Sequence, residues 1–192
     1  LLQEAGRRPG DLAGIVVDVG PGSFTGIRVG VTTAKSLAWA LDLPVTAVVS
    51  LAALARAAPP DRAVLAVRDA GRGRLYHQAF GPEDAVGRRP RRAPPGRDPA
   101  PRALSASTGS LVVGEEAPAL LARHAPERSG EALEVQAGAA AILAEARAEP
   151  DARASSPHVL APLYLQVSAP ERRLAGEEDG DPAAPGRNDR PK

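Results

Sequence analysis

Residues 20–30 read GPGSFTGIRVG, with glycines at 20, 22 and 26 crowded around Ser23 and Thr25. Just before them stands AGIVVDV (residues 13–19), a short apolar run rich in β-branched residues and suited to a buried strand. Just after them a helical pattern runs from about Thr25 to Leu41. A strand, a tight turn and a long helix in immediate succession restrict the chain to folds that stack helices on a partly parallel sheet. Glycine at 20 and 22 supplies the backbone freedom of the turn, and Ser23 or Thr25 can cap the helix. An anion at the helix start is the alternative use, with Gly22, Ser23 and Thr25 as weak phosphate candidates and the amides of Phe24 to Gly26 as donors. The stretch has no Gly-Lys-Ser/Thr ending, so it is not a Walker A loop. Its glycines also miss the second spacing of G-x-G-x-x-G.

Within the helix, Ile27, Val31, Leu37 and Leu41 recur on or near one side, as a buried face requires. Gly26, Gly30, Ala34 and Ala38 recur every four residues as a ridge of small side chains. An interior glycine costs a helix about 1 kcal/mol relative to Ala, and close approach of another backbone can offset that. Two readings of the ridge stay open on the sequence: packing inside the chain, against a helix ending in LLQEAG, or packing against a partner subunit.

The remaining chain alternates strand and helix signals. VTAVV (45–49) reads as a strand, with Ser50 as N-cap of a short following helix. AVLAVRD and RLYHQAF, joined by AGRG, read as a hairpin (63–80). Further on come a strand at 110–114, helices at 117–124 and 137–148, a strand at LEVQ, and VLAPLYLQV (159–167) closing the folded part. Residues 81–102 are Pro, Gly and Arg with almost no apolar side chains, expected as a flexible loop or linker; the cluster Arg88, Arg89, Arg91 and Arg92 is read as solvated, with RNA contact as the less favoured alternative. The acidic, Pro/Gly-rich segment 168–192 is expected to be a disordered tail.

Composition removes several classes of function. The formal net charge is +1, which argues against a nucleic-acid binder acting through a basic surface of its own. Of the 24 basic residues only Lys35 and Lys192 are lysine, a bias that fits a GC-rich genome. There is no cysteine, hence no disulfide, thiol nucleophile or zinc-thiolate site. His77, His124 and His158 form no His-x-x-x-His pair, and a metal site is not expected. Ser23 lacks the G-x-S-x-G context of a nucleophile. Asp18 and Asp69 end strands, where turn or cap duty is the usual role. No apolar run approaches the ~18 residues of a membrane span, and a cytoplasmic location is the expectation. The first residue is Leu1 within LLQEAG, which reads as the end of a helix whose N-terminal sequence is missing.

GPGSFTGIRVGVTTAKSLAWAL, followed by LPVTAVVSLAALA, resembles the TsaB (YeaZ-type) family, in which G-P-G-S-F-T-G-x-R opens a helix ending in A-K-x-L-A. Asp69-Ala70 with Arg72 and Tyr76 is similar to the family's D-A-R-x-x-x-x-Y hairpin, displaced by Gly71. LVVGEEA is similar to V-V-G-D/E-G-A, and PLYLQ (162–166) to P-x-Y-L-R with Gln for Arg. The resemblance implies an α/β, actin/Hsp70-like (ASKHA) fold of two small lobes, residues 1–60 and 61–167, the first lacking its N-terminal strands. It implies a non-catalytic scaffold subunit that supports TsaD, within the tRNA N6-adenosine threonylcarbamoyltransferase complex, in making N6-threonylcarbamoyladenosine (t6A37) on tRNAs reading ANN codons. TsaD and TsaE are then the expected partners, a homodimer is a further one, and tRNA is met only through the complex. No cofactor is expected on this chain, and ATP or ADP enters at the level of the complex. The helix from Thr25 to Leu41 becomes the partner-binding element, with Thr25, Gly26, Val29, Gly30, Thr33, Ala34, Leu37 and Ala38 at the contact. The alternative is an ASKHA-type transferase that binds nucleotide at Gly20–Gly26 in its own right.

Overall fold

The computed structural model of the chain describes residues 2–85, 87–105, 107–148 and 156–165. The proposed tail at 168–192 lies outside them. Two short strands, β1 (Ile15–Asp18) and β2 (Val45–Val48), pair in parallel with Ile15 opposite Val45. Helix α1 (Phe24–Leu41) connects them, as strand, turn and helix spacing predict. It ends at Asp42, whose left-handed backbone (φ +50°) turns the next amide, Leu43 N–H, back to the Ala38 carbonyl at 2.8 Å before Pro44 redirects the chain.

After α2 (Ser50–Arg56), the hairpin of β3 (Val64–Asp69) and β4 (Arg74–Phe80) forms where the sequence places it. Its connection is tight: Gly71, Arg72 and Gly73 all have positive φ, and Ala70 N–H donates to Arg74 O at 3.0 Å. Around the hairpin grows a mixed five-stranded sheet of order β5-β4-β3-β6-β7. β5 is Gly96–Pro99, β6 Leu111–Gly114 and β7 Ala132–Glu134. Helices α3 (Ala100–Ser105) and α4 (Ala117–His124) share a core with alternate residues of β3, Leu65 and Val67. Val64 and Ala66, pointing the other way, pack with Leu51, Leu54 and Ala55 of α2 and with Tyr76 and Phe80. Strand β3 is therefore covered on both faces, which accounts for its unbroken apolar run VLAV.

Helix α5 (Ala139–Ala148) packs against α2, β1 and β2, and Leu160 and Leu163 join Val19, Val31, Ala38 and Val45 in a third core. The chain after residue 138 thus returns to the sheet formed by its first 50 residues. Leu2 to Gly6 make turns, closed by Gly6 N–H to Gln3 O, where a helical turn is expected. Residues 159–165 contain neither strand nor helix.

The segment expected to be a solvated loop differs most. Its residues 96–99 form edge strand β5, with Tyr76 opposite Arg97, and Phe80 bridges to Arg91. Arg89 is buried (4% exposed) and donates to the carbonyls of Ala58, Pro59, Arg62 and Gly81. Desolvation pulls its guanidinium below the usual arginine value, against the opposing pull of Glu83. Arg88 pairs with Asp84 at 3.1 Å and Arg91 lies 3.7 Å from Glu145. Arg89, spent on four carbonyls, is a pin that holds the segment down, which corrects the reading of the whole segment as a flexible loop; Arg88, Arg91 and Arg92 stay exposed.

Candidate functional site

The turn is held by a polar lock between β1 and α2. Asp18, the last residue of β1, accepts from Gly20 N–H at 2.8 Å and from the buried Ser50 hydroxyl at 2.7 and 2.8 Å. Ser50 N–H in turn donates to Gly20 O at 2.8 Å. Ser50 is therefore the first residue of α2 and not its cap; its hydroxyl turns away to the carboxylate, and Val49 occupies the cap position. Gly20 sits at φ +100°, a backbone conformation that calls for glycine, and a Cβ there would also press on the tip of the Ile27 side chain at 2.7 Å. The Gly20–Pro21 peptide bond is cis.

Above the turn passes Arg68 of β3. Its Nη1 donates to Pro21 O at 3.4 Å and its Nη2 to Glu115 Oε1 at 3.0 Å. A Cβ on Gly22 would come within 3.1 Å of that guanidinium. Ser23 caps α1, its hydroxyl oxygen accepting from Gly26 N–H at 3.4 Å. Of the phosphate candidates, Gly22 is half-buried beneath Arg68, while Ser23 and Thr25 are exposed. Among the described residues no three His, Cys, Asp or Glu side chains come together as a metal site. His77 and Asp98 pair at 2.9 Å across β4 and β5; the hydrogen bond from His77 and the charge of Arg102 hold the Asp98 carboxyl below its ordinary value.

The residues named at the helix contact divide into two groups. Ala34 and Ala38 are buried in the chain's own core, beside Val31 of the expected buried face. Thr25, Gly26, Val29, Gly30, Thr33 and Leu37 face solvent, with Val29 61% and Leu37 49% exposed. The four-residue ridge is thus not one surface. Each step of four advances about 40° around a helix, so from Gly26 to Ala38 the ridge turns through about 120°. Its glycine end faces out and its alanine end faces in. Nothing lies within 4 Å of a Cβ built on Gly30. Intrachain packing therefore does not require glycine there.

Three exposed aromatic side chains flank this face without having been singled out from spacing. Trp39 is 75% exposed and lines an open groove of about 280 Å³ with Lys35, Ser36, Pro157 and His158. At the other end Phe24 and Tyr164 stand 5.7 Å apart, with the Arg28 guanidinium 3.9 Å from the Phe24 ring centre. Arg28 Nε–H donates to Tyr164 Oη at 3.0 Å. The first and last of the quoted sequence motifs meet in this cluster, a juxtaposition that no local pattern carries. Two hydrogen bonds hold the returning segment in place: Leu163 N–H donates to Val19 O at 2.8 Å, and the Lys35 ammonium donates to Leu160 O at 3.0 Å. Among the described residues no helix is long and apolar enough to cross a membrane.

Residues 1–88 match the family model described as TsaD: tRNA N6-adenosine threonylcarbamoyltransferase. A relative from Bacillus subtilis, "tRNA threonylcarbamoyladenosine biosynthesis protein TsaB", is 49% identical over 77 residues, 40% of this chain and 34% of that one. A Haemophilus influenzae protein of the same name is 56% identical over 39 residues, 20% of this chain and 16% of that one. The chain thus spans about a third or less of the length of these curated relatives. Among solved structures, a Pseudomonas aeruginosa protein described as similar to peptidase YEAZ superposes with a TM-score of 0.69 at 23% identity. That superposition covers 86% of this chain and 79% of the other, and it places both in one α/β fold.

Proposed function

We propose that this chain is a member of the TsaB (YeaZ-type) family and a non-catalytic scaffold subunit that binds and supports TsaD in N6-threonylcarbamoyladenosine modification of tRNAs reading ANN codons, a reading supported by its likeness to the two TsaB relatives. The observation that carries the proposal is the outward face of α1. Thr25, Gly26, Val29, Gly30, Thr33 and Leu37 form a stripe of small and apolar residues with no cover from the chain itself. Two glycines in a helix that gains nothing from them internally are accounted for by a second backbone lying close against Gly30. The turn supports the same reading. Its carboxylate and hydroxyl are committed to each other, Ser23 is committed to the cap, and Arg68 and Glu115 close over Gly22. Such a turn sets the direction of α1 and leaves few groups for chemistry.

In this proposal the two lobes are built around the β1–β2 sheet and the five-stranded sheet, with α2 between them. TsaE is a further partner and a homodimer of the chain a further assembly; tRNA is met only through the complex, in a cytoplasmic setting, and ATP or ADP acts at that level. The test is complex formation between this chain and the TsaD of the same source, measured by size-exclusion chromatography with light scattering. A 1:1 complex is expected; two species that elute separately at micromolar concentration refute the scaffold role. Tight binding of ATP or ADP by the isolated chain in calorimetry favours the nucleotide-dependent transferase instead.

A further inference from the structure

Most arginines fixed in this structure are neutralised. Arg56 pairs with Glu83 and Glu145, Arg68 with Glu115, Arg88 with Asp84, and Arg128 with Glu131. Arg28 is fixed without being neutralised. Its Cζ lies 3.9 Å from the centre of the Phe24 ring and 5.5 Å from that of Tyr164, and its Nε–H is bound to Tyr164 Oη at 3.0 Å. Among the described residues no carboxylate pairs with it. Stacking on a ring orders a guanidinium and leaves its charge, and here also its two terminal nitrogens, for another group.

The setting matches. Arg28 stands one turn from Thr25, on the flank of the exposed stripe of α1, and both rings of the stack are more than 40% exposed. Helix α1 carries Arg28 and Lys35 and no acidic residue, and the Lys35 ammonium is already bound to Leu160 O. A cation held ready at the rim of an apolar face is an interface anchor, because the entropy of ordering a long side chain is spent before the partner arrives.

We propose that the Arg28 guanidinium, presented by Phe24 and Tyr164, is the charged anchor of the α1 docking face and receives a carboxylate from the TsaD surface that packs there. The proposal rests on the scaffold reading of α1. It adds the sign of the partner's charge and brings Tyr164, far away in sequence, into the docking surface. The anchor is bidentate by geometry: with Nε engaged, Nη1 and Nη2 remain as a fork that matches two carboxylate oxygens.

The test is the affinity of the full chain for TsaD at low and at physiological salt. For the native chain the affinity falls with salt. Arg28→Gln weakens binding at least about tenfold and removes most of the salt dependence. Arg28→Lys, which keeps the charge but loses the flat stack, recovers part of the affinity. Tyr164→Phe keeps the ring, loses the Nε acceptor, and speeds dissociation about threefold. Each variant is compared at equal thermal stability. If Arg28→Gln binds TsaD with native affinity and native salt dependence while Gly30→Leu does not bind, the scaffold reading stands and the anchor is overturned. If Arg28→Gln leaves TsaD affinity intact but weakens retention of tRNA by the complex, the ligand of Arg28 is a phosphate and the carboxylate assignment is overturned. A native chain that does not bind TsaD at all removes the scaffold reading and the anchor with it.

Discussion

Gly30 provides a test in which folding and binding move in opposite directions. It occupies the interior of α1, is exposed, and would carry a Cβ with no heavy atom within 4 Å. Gly30→Ala therefore meets no steric penalty in the chain and recovers the helix cost of glycine, about 0.8–1.0 kcal/mol. For a domain of this size that corresponds to a rise in Tm of about 2–4 °C. Gly26 is different, since a Cβ there touches Ser23 at 3.5 Å in the first turn, and its gain is smaller. Against a partner helix the same methyl is an overpacking defect of about 1–3 kcal/mol, roughly five- to 150-fold in Kd, and the larger side chain of Gly30→Leu exceeds it. Thermal unfolding of the isolated chain and calorimetric titration into TsaD measure the two sides independently. If Gly30→Ala leaves Tm unchanged or lowers it, the open space above residue 30 is refuted. If Gly30→Leu is as stable as the native chain and binds TsaD with native affinity, α1 does not dock through this stripe.

Three further perturbations probe the lock, the pin and the hairpin. Ser50→Ala removes the hydroxyl donor of the half-buried Asp18 carboxylate and is expected to cost about 1–3 kcal/mol in urea unfolding. Arg89→Ala deprives four carbonyls of their donor and opens a cavity, and a loss of about 3 kcal/mol or more is expected, with early proteolysis within 81–95. Asp98 has a folded-state pKa depressed below its ordinary value near 4, so its stabilising contribution is complete above that value and fades as pH falls through the folded pKa. Acid unfolding of Asp98→Asn should accordingly lack the component below about pH 4 that the native chain shows; identical acid profiles would refute the pairing with His77.

Legibility followed the range of the interactions. The strand before the turn, α1, the β3–β4 hairpin and α4 were visible in sequence because each is specified by nearby residues: β-branched runs, a capping serine beside glycines, a two-sided apolar pattern. β5 was not visible, since Gly-Arg-Asp-Pro has no strand pattern of its own and takes its conformation from hydrogen bonds offered by β4. Arg89 was unreadable for the same reason; nothing in GRRPRR distinguishes the arginine that meets four carbonyls from its solvated neighbours. Ser50 carried a cap signature, yet its hydroxyl was claimed by a carboxylate on another strand. The small-residue ridge was correctly located and wrongly continuous, because a period of four drifts around a helix whose true period is 3.6.

What the sequence determined alone was the local grammar: that a tight turn follows a strand, that a long helix follows the turn, and that this chain carries no thiol chemistry. Glycine φ freedom, capping and periodicity act within a few residues, so they can be read in order. The tertiary structure alone decided which end of the ridge is buried, that Asp18 closes on Ser50, and that the segment ending at Leu165 returns to α1 to set Tyr164 against Arg28. Those contacts join residues far apart in the chain, and their energies depend on geometry that exists only once the two sheets have formed.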